Sequence, residues 1–455
     1  RRQRQMCIRD RSIPEENKFV FRVFAYYGAP AERPQIITSM QPETTYFISA
    51  RPLNDSDEPA NKDGNIVEIT TASAPTISPA GTHPRAWATP EQLQAMRDRH
   101  TGGDAAWARW SAIVGDEALD SINASADYEF HACIGGALMF HATGEDRYRE
   151  TALSMINTML AYWQDNELRA NVLRWANSNL AICTDLMWSE LSGSERNEII
   201  AAYLEDDEAA DNSRIVDTDE YASIARTWVI DGLVACDAPG IDSDLSNRAC
   251  ALLEKGLRSF YGVQLVKARR DNGYFAQSGG CLPDGTGYAT GSSTYWMQTL
   301  HALSNVGGQV DAYAPWVWNN FRSIHLYPLT PQQQGFATFG DLDAYDNFGT
   351  EPNSLPIQYG GGSGLAMQMG FLARAGLSEQ AGHAKWHIEN IFPADDYGST
   401  WSMLMHDHDG LVSRTNDEGL RTNFFDSGLG HFYDRTGWDQ DASFFVFHAG
   451  WTGVD

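Results

Sequence analysis

The stretch Asp284-Gly285-Thr286-Gly287-Tyr288 sets a phenol in a glycine-rich turn, with Gly291 just beyond it. Residues without a Cβ let a ligand come close, and a tyrosine so placed can donate a proton. It can also accept one where neighbouring cations depress its pKa. A helix-boundary aromatic would look the same, so spacing alone leaves both readings open. Asp284 can orient Tyr288 or merely form the turn. Arg226 has the fork geometry to hold a carboxylate by two hydrogen bonds, although a surface or structural arginine is the plainer reading. Lys267, Arg269 and Arg270 make a compact basic run that suits a polyanion subsite or a solvated helix end. His406-Asp407-His408-Asp409 has the H-x-H spacing of some zinc sites, but it reads as a polar loop between domains, and no metal ligand is assigned. His431 and His448 read as satisfied strand histidines.

A chain of 455 residues needs two or three domains to position such groups. Its 60 acidic against 33 basic side chains give a net charge of −27. That balance argues against a nucleic-acid partner, which needs a basic surface. An anionic substrate stays open, because a local cluster of arginine and lysine can line a cleft. No apolar run approaches the roughly 20 residues of a membrane span. The six cysteines include no CxxC pair. Cys133, Cys183 and Cys236 fall in apolar helical stripes and read as small core hydrophobes.

Residues 1–11 are basic and patternless and read as a translated adapter, set aside from the fold. Residues 12–73 carry short aromatic and β-branched runs, Phe19–Tyr27, Thr45–Leu53 and Ile66–Ser73, between turn signals. Met40-Gln41-Pro42-Glu43-Thr44-Thr45-Tyr46 resembles the tyrosine corner of a fibronectin type III module, which implies a β-sandwich. Residues 74–81 form a Pro/Ser/Gly linker. From 82 to about 400, apolar residues recur at helical spacing in segment after segment. Examples are Leu180, Cys183, Met187, Leu191 and Ala225, Val229, Gly232, Cys236. Thr89-Pro90 should start one helix, Gly144 and Gly376 should end others, and Ser378 should cap the next. Such a series fits stacked helical hairpins, as an open array or closed into an α/α toroid. Residues 401–455 turn to strands, with a hairpin expected from Phe432–Arg435 and Ala442–Phe447. The expected architecture is multidomain and mainly α. It comprises an incomplete toroid, an N-terminal sandwich module and the start of a C-terminal antiparallel β-sandwich that the chain leaves unfinished.

Three stretches bear a family resemblance. His83-Pro84-Arg85 followed by Thr89-Pro90-Glu91, the segment around Tyr288 with Tyr295 and Trp296 in the following helix, and Phe432–Gly450 are together similar to the heparinase II/III-like polysaccharide lyases. The resemblance spans about residues 82–455 and implies an exported enzyme, secreted or periplasmic. It further implies cleavage of an anionic, uronic-acid polysaccharide by β-elimination, in a cleft between toroid and sandwich. It makes Tyr288 the catalytic acid and base, with Asp284 beside it and Tyr295 at the substrate. Glu220 and Tyr221 stand where the family places a carboxylate-holding Asn-His pair, with Arg226 on the same helix. Phe339-Gly340-Asp341 resembles a cleft-lining segment, and Arg270 offers a subsite cation. The family's catalytic histidine and a divalent metal site, with zinc the natural ion, would come from residues after Gly450, so no cofactor is expected within this stretch. Other classes remain: a toroidal glycoside hydrolase using Asp284 with Asp341 or Asp343, a uronyl epimerase, or a glycan-binding remnant without catalysis.

Overall fold

Helices of a dozen or so residues are marginal alone in water and are held by packing. The computed structural model describes residues 4–6, 23–25, 45–49, 66–70, 77 and 79 and, with short breaks, 82–115, 130–163, 177–209, 219–265, 279–332, 337, 361–391 and 410–448. The described chain is mainly helical, with a small antiparallel sheet near its C-terminal end. The helices used below are α1 (Pro90–Gly102), α2 (Phe130–Thr143), α3 (Asp146–Trp163), α4 (Asn177–Leu186), α5 (Gly193–Ala209) and α6 (Asp219–Ala235). They continue with α7 (Ser243–Ser259), α8 (Gly285–Asn305), α9 (Ala314–Phe321), α10 (Gly361–Arg374) and α11 (Ser378–Asn390).

The expected punctuation mostly holds. Thr89 and Gln92 form a reciprocal capping box at the start of α1, with Pro90 as its first residue. Gly144 and Gly376 take the left-handed conformation after α2 and α10. Ser378 is a correction: it is the first residue of α11, and the cap position belongs to Leu377, which offers no side-chain bond. The turn that ends α10, where Leu377 N donates to Leu372 O, runs directly into α11 and uses up the cap position.

The helices form two rows. α2, α4, α6, α8 and α10 each pack on the next, while α3, α5, α7 and α11 pack behind α2, α4, α6 and α10. Burial follows from this. Residues 221–235 of α6 are buried on all sides except at Ile224, whereas α7 buries only a stripe of Leu245, Ala249, Leu252, Leu253, Gly256 and Leu257. α6 and α7 meet backbone to backbone. A Cβ on Gly232 would lie 2.7 Å from Leu253 Cα, and one on Gly256 2.8 Å from Val229 N. Gly256→Ala is therefore expected to destabilise the fold by about 1–3 kcal/mol through overpacking. An unchanged thermal midpoint would show that the two helices can separate freely.

The cysteines need correcting. Cys133, Cys183 and Cys236 are buried as expected, but they are not free: disulfides join Cys133 to Cys183 and Cys236 to Cys250. The first ties α2 to α4 and the second ties the end of α6 to α7. Sequence could not pair them because pairing depends on which helices touch. Cys281 is buried and unbonded.

The His83-Pro84-Arg85 segment is a strap across the inner row. The His83 ring stacks on Trp188 at 3.6 Å, and its Nδ1 lies 2.5 Å from Asp185 Oδ1 at the end of α4. The backbone N–H groups of Arg85 and Ala86 donate to Asp185 Oδ2. The Arg85 guanidinium donates to Val234 O and Cys236 O, serving the orphan carbonyls at the end of α6. It also holds Pro79 O, and Ile77 packs on the core, so part of the expected linker lies against the helices.

Strands β5 (Asn423–Asp426), β6 (His431–Arg435) and β7 (Phe444–His448) form one antiparallel sheet in that order. The expected hairpin is β6–β7, and β5 was not anticipated. Its inner face meets the helical body: Phe424 stacks on Tyr327, Arg435 donates to Tyr327 O and Leu329 O, and Asp426 accepts from Cys281 N. Phe425, Phe445 and Phe447 are exposed on the other face. Near the N-terminus, where β1 is Arg4–Met6, β3 (Thr45–Ser49) pairs with β4 (Ile66–Thr70), two of the expected strands, and β2 (Val23–Ala25) falls in the third. Val23–Ala25 pairs with Arg4–Met6, so residues 1–11 are not wholly patternless: ladder bonds come from the backbone, which no composition forbids. The side chains of these strands, including Tyr46, lie outside the described residues. Among the described residues, no helix is long and apolar enough to cross a membrane.

Candidate carboxylate-binding site on the inner helices

A buried guanidinium has five donors to satisfy and no way to shed its charge. Arg226, two turns into α6, is 5% exposed. Its Nη1 donates to Gln298 Oε1 of α8 at 2.8 Å, and its Cζ lies 4.6 Å from the centre of the Tyr295 ring, also on α8. Its Nε and Nη2 meet no acceptor among the described residues. These two nitrogens share one edge of the guanidinium, which matches both oxygens of a carboxylate. The site is thus a desolvated cation, stacked on an aromatic ring and steadied by an amide, with two buried donors on its bidentate edge unpartnered among the described residues. A scan against known protein families finds no match to this chain, and a search of curated proteins finds none either. The chemistry has to be read from this geometry.

Two of the expected substrate residues, Arg226 and Tyr295, are brought into contact. Tyr221 is buried on α6 and packs on Ala225 one turn on, apart from the main core. Tyr288 lies in α8 seven residues before Tyr295. Helical register places the two on one stripe, about 10 Å apart along the axis. The side chains of Tyr288 and Glu220 lie outside the described residues, as do Asp284, Asp341, Asp343, Lys267, Arg269, Arg270 and His406–Asp409. So do the metal ligands expected after Gly450. Gln298 was missed, and its signal was faint: one turn after Tyr295, on the same helical stripe.

Two further groupings were weighed. Cys236, Asp237 and Cys250 bring ligand atoms within 4.8 Å of one another. Both sulfurs are spent in a disulfide, so neither offers a thiolate to a metal. His431 and His448 are cross-strand partners with ring centres 4.4 Å apart. Burial, and then the proximity of His448, pushes His431 down to about 3, and burial lowers His448 as well. Both imidazoles are neutral at physiological pH.

Proposed function

We propose that the protein is an exported polysaccharide lyase of the heparinase II/III-like kind, with its two rows of helices forming the α/α toroid, and that Arg226 holds the carboxylate of a uronate unit. The buried Nε/Nη2 edge of Arg226, whose donors meet no acceptor among the described residues, carries this reading. A carboxylate seated there loses charge repulsion as electron density builds at C5, so the C5 proton becomes removable. Tyr288 takes that proton as C4=C5 forms and the C4–O4 bond breaks, and the leaving O4 receives a proton from the same phenol. Asp284 orients Tyr288, while Tyr295 and Tyr221 offer aromatic surface to a sugar ring. Glu220, Asp341 and Arg270 complete the set of substrate contacts. Two disulfides suit an oxidising compartment, secreted or periplasmic.

The test follows ultraviolet absorbance of unsaturated product on a panel of uronic-acid polysaccharides. A rise with the native protein, cut by roughly 10²- to 10⁴-fold in Tyr288→Phe, is the expected result. New reducing ends without absorbance would replace elimination by hydrolysis. No change on any polymer, with glycan retained on an affinity gel, would leave a binding protein.

A further inference from the structure

Buried arginines differ in what holds them. Arg85 donates to the carbonyls of Pro79, Val234 and Cys236, and Arg435 to those of Tyr327 and Leu329. Arg226 is held by a side chain instead: its Nη1 donates to Gln298 Oε1 at 2.8 Å, with Gln298 itself only 2% exposed. Because a guanidinium only donates, the atom facing it has to be the amide oxygen, which fixes the Gln298 amide. Tyr295 lies three residues earlier on α8, and residues three apart share a helix face. One turn of α8 therefore supplies both the ring, whose centre is 4.6 Å from Cζ, and the acceptor at Nη1. Between them, ring and amide hold the guanidinium at its face and at one corner, and so set where Nε and Nη2 point.

The acceptor is neutral, and no carboxylate pairs with Arg226 among the described residues. A carboxylate in place of the amide would make the same hydrogen bond. It would also form a buried ion pair, whose two charges largely cancel for anything that binds next. An incoming anion would then meet a like charge close behind the cation. The amide aims the guanidinium without that cancellation. We infer that Gln298 is a positioning residue that orients Arg226 while leaving its charge whole, and that it thereby sets a preference for an anionic over a neutral sugar. For its ligand, the inference rests on the reading of Arg226 above.

The test compares two ligands of nearly one shape, sodium D-glucuronate and neutral D-glucuronamide, by calorimetry on the full chain. The native protein should prefer glucuronate by roughly tenfold or more. Gln298→Glu keeps an accepting oxygen and adds the cancelling charge. Its affinity for glucuronate should fall by roughly a hundredfold, while that for glucuronamide changes by less than about threefold and the thermal midpoint holds. Gln298→Met keeps the charge but loses the aim. Both ligands should then weaken by roughly three- to thirtyfold, with glucuronate still the tighter. A purely structural glutamine would weaken both ligands in parallel in Gln298→Glu, and that result overturns the inference. So does a Gln298→Met chain that binds as the native one does, which decides the matter if Gln298→Glu does not fold. A native preference for glucuronate that Gln298→Glu leaves intact overturns the inference alone. No preference for glucuronate in the native protein overturns the reading of Arg226, and the inference with it.

Discussion

Arg226→Met is expected to lower kcat/KM on the susceptible polyuronate by about a hundredfold or more, while leaving the thermal midpoint at or above that of the native protein. The two effects separate a functional arginine from a structural one. In the ligand-free protein the guanidinium is desolvated, with one hydrogen bond and one ring contact against two donors without acceptors. Removing such a charge for an apolar side chain of similar length is neutral or stabilising in general. The bound carboxylate, in contrast, loses two charge-assisted hydrogen bonds in a dry site, a loss of about 2–5 kcal/mol. Arg226→Lys should recover little, because an ammonium cannot present the same edge. A variant that unfolds several degrees early and retains turnover would mark Arg226 as part of the scaffold.

Acid is expected to unfold the protein well before its ordinary exposed carboxylates titrate. Burial pushes His325 and His431 down to about 3 and His301 and His387 to about 4. His141, His383 and His448 are lowered too, chiefly by burial. Each folded-state pKa lies below the roughly 6.5 of an unfolded histidine. The stability from keeping them neutral is therefore complete above about pH 6.5 and is lost as pH falls towards 4. Asp207, Asp231 and Asp426 act in the opposite sense. Burial raises them, so the fold already holds protons that the unfolded chain lacks, and their contribution improves as pH drops. Seven histidines outweigh three carboxyls. A net excess of two to four protons in the unfolded chain costs roughly 3–5 kcal/mol per pH unit, against a total stability of about 5–15 kcal/mol. Urea unfolding at pH 8, 7, 6 and 5 checks this. His387→Asn, which removes the ring bonded to Asn416, should flatten the slope by about one proton. A stability that stays level from pH 7 to 5 would mean that these rings accept protons within the fold.

Much of the helical body was legible because its signals are local. The stripe Ala225, Val229, Gly232, Cys236 follows the 3.6-residue period whatever it packs against, and Thr89, Gly144 and Gly376 carry their own backbone chemistry. The β6–β7 hairpin was readable from aromatic runs on either side of a turn. Strand β5 was not, since its ladder partner among the described residues is β6 and its residues are ordinary outside that pairing. The site divides in the same way. Arg226 and Tyr295 were picked out as residue types with suitable chemistry, but their contact belongs to the packing of α6 on α8. Gln298 has meaning only once α6 and α8 are assembled, and no sequence spacing links it to Arg226.

The strap at the head of the helical body bears on synthesis. Rows of hairpins can be built as the chain emerges, each helix settling on the one before. Two of the Arg85 guanidinium's hydrogen bonds must instead wait for Val234 and Cys236, the latter 151 residues later. At typical rates of about 5–20 residues per second, that interval lasts on the order of ten seconds or more. The backbone donors of Arg85 and Ala86 wait a shorter time, for Asp185 at the end of α4. The nascent chain thus carries this segment undocked until α4 arrives and only partly fastened until the end of α6 follows, a stretch that a chaperone or protease can reach.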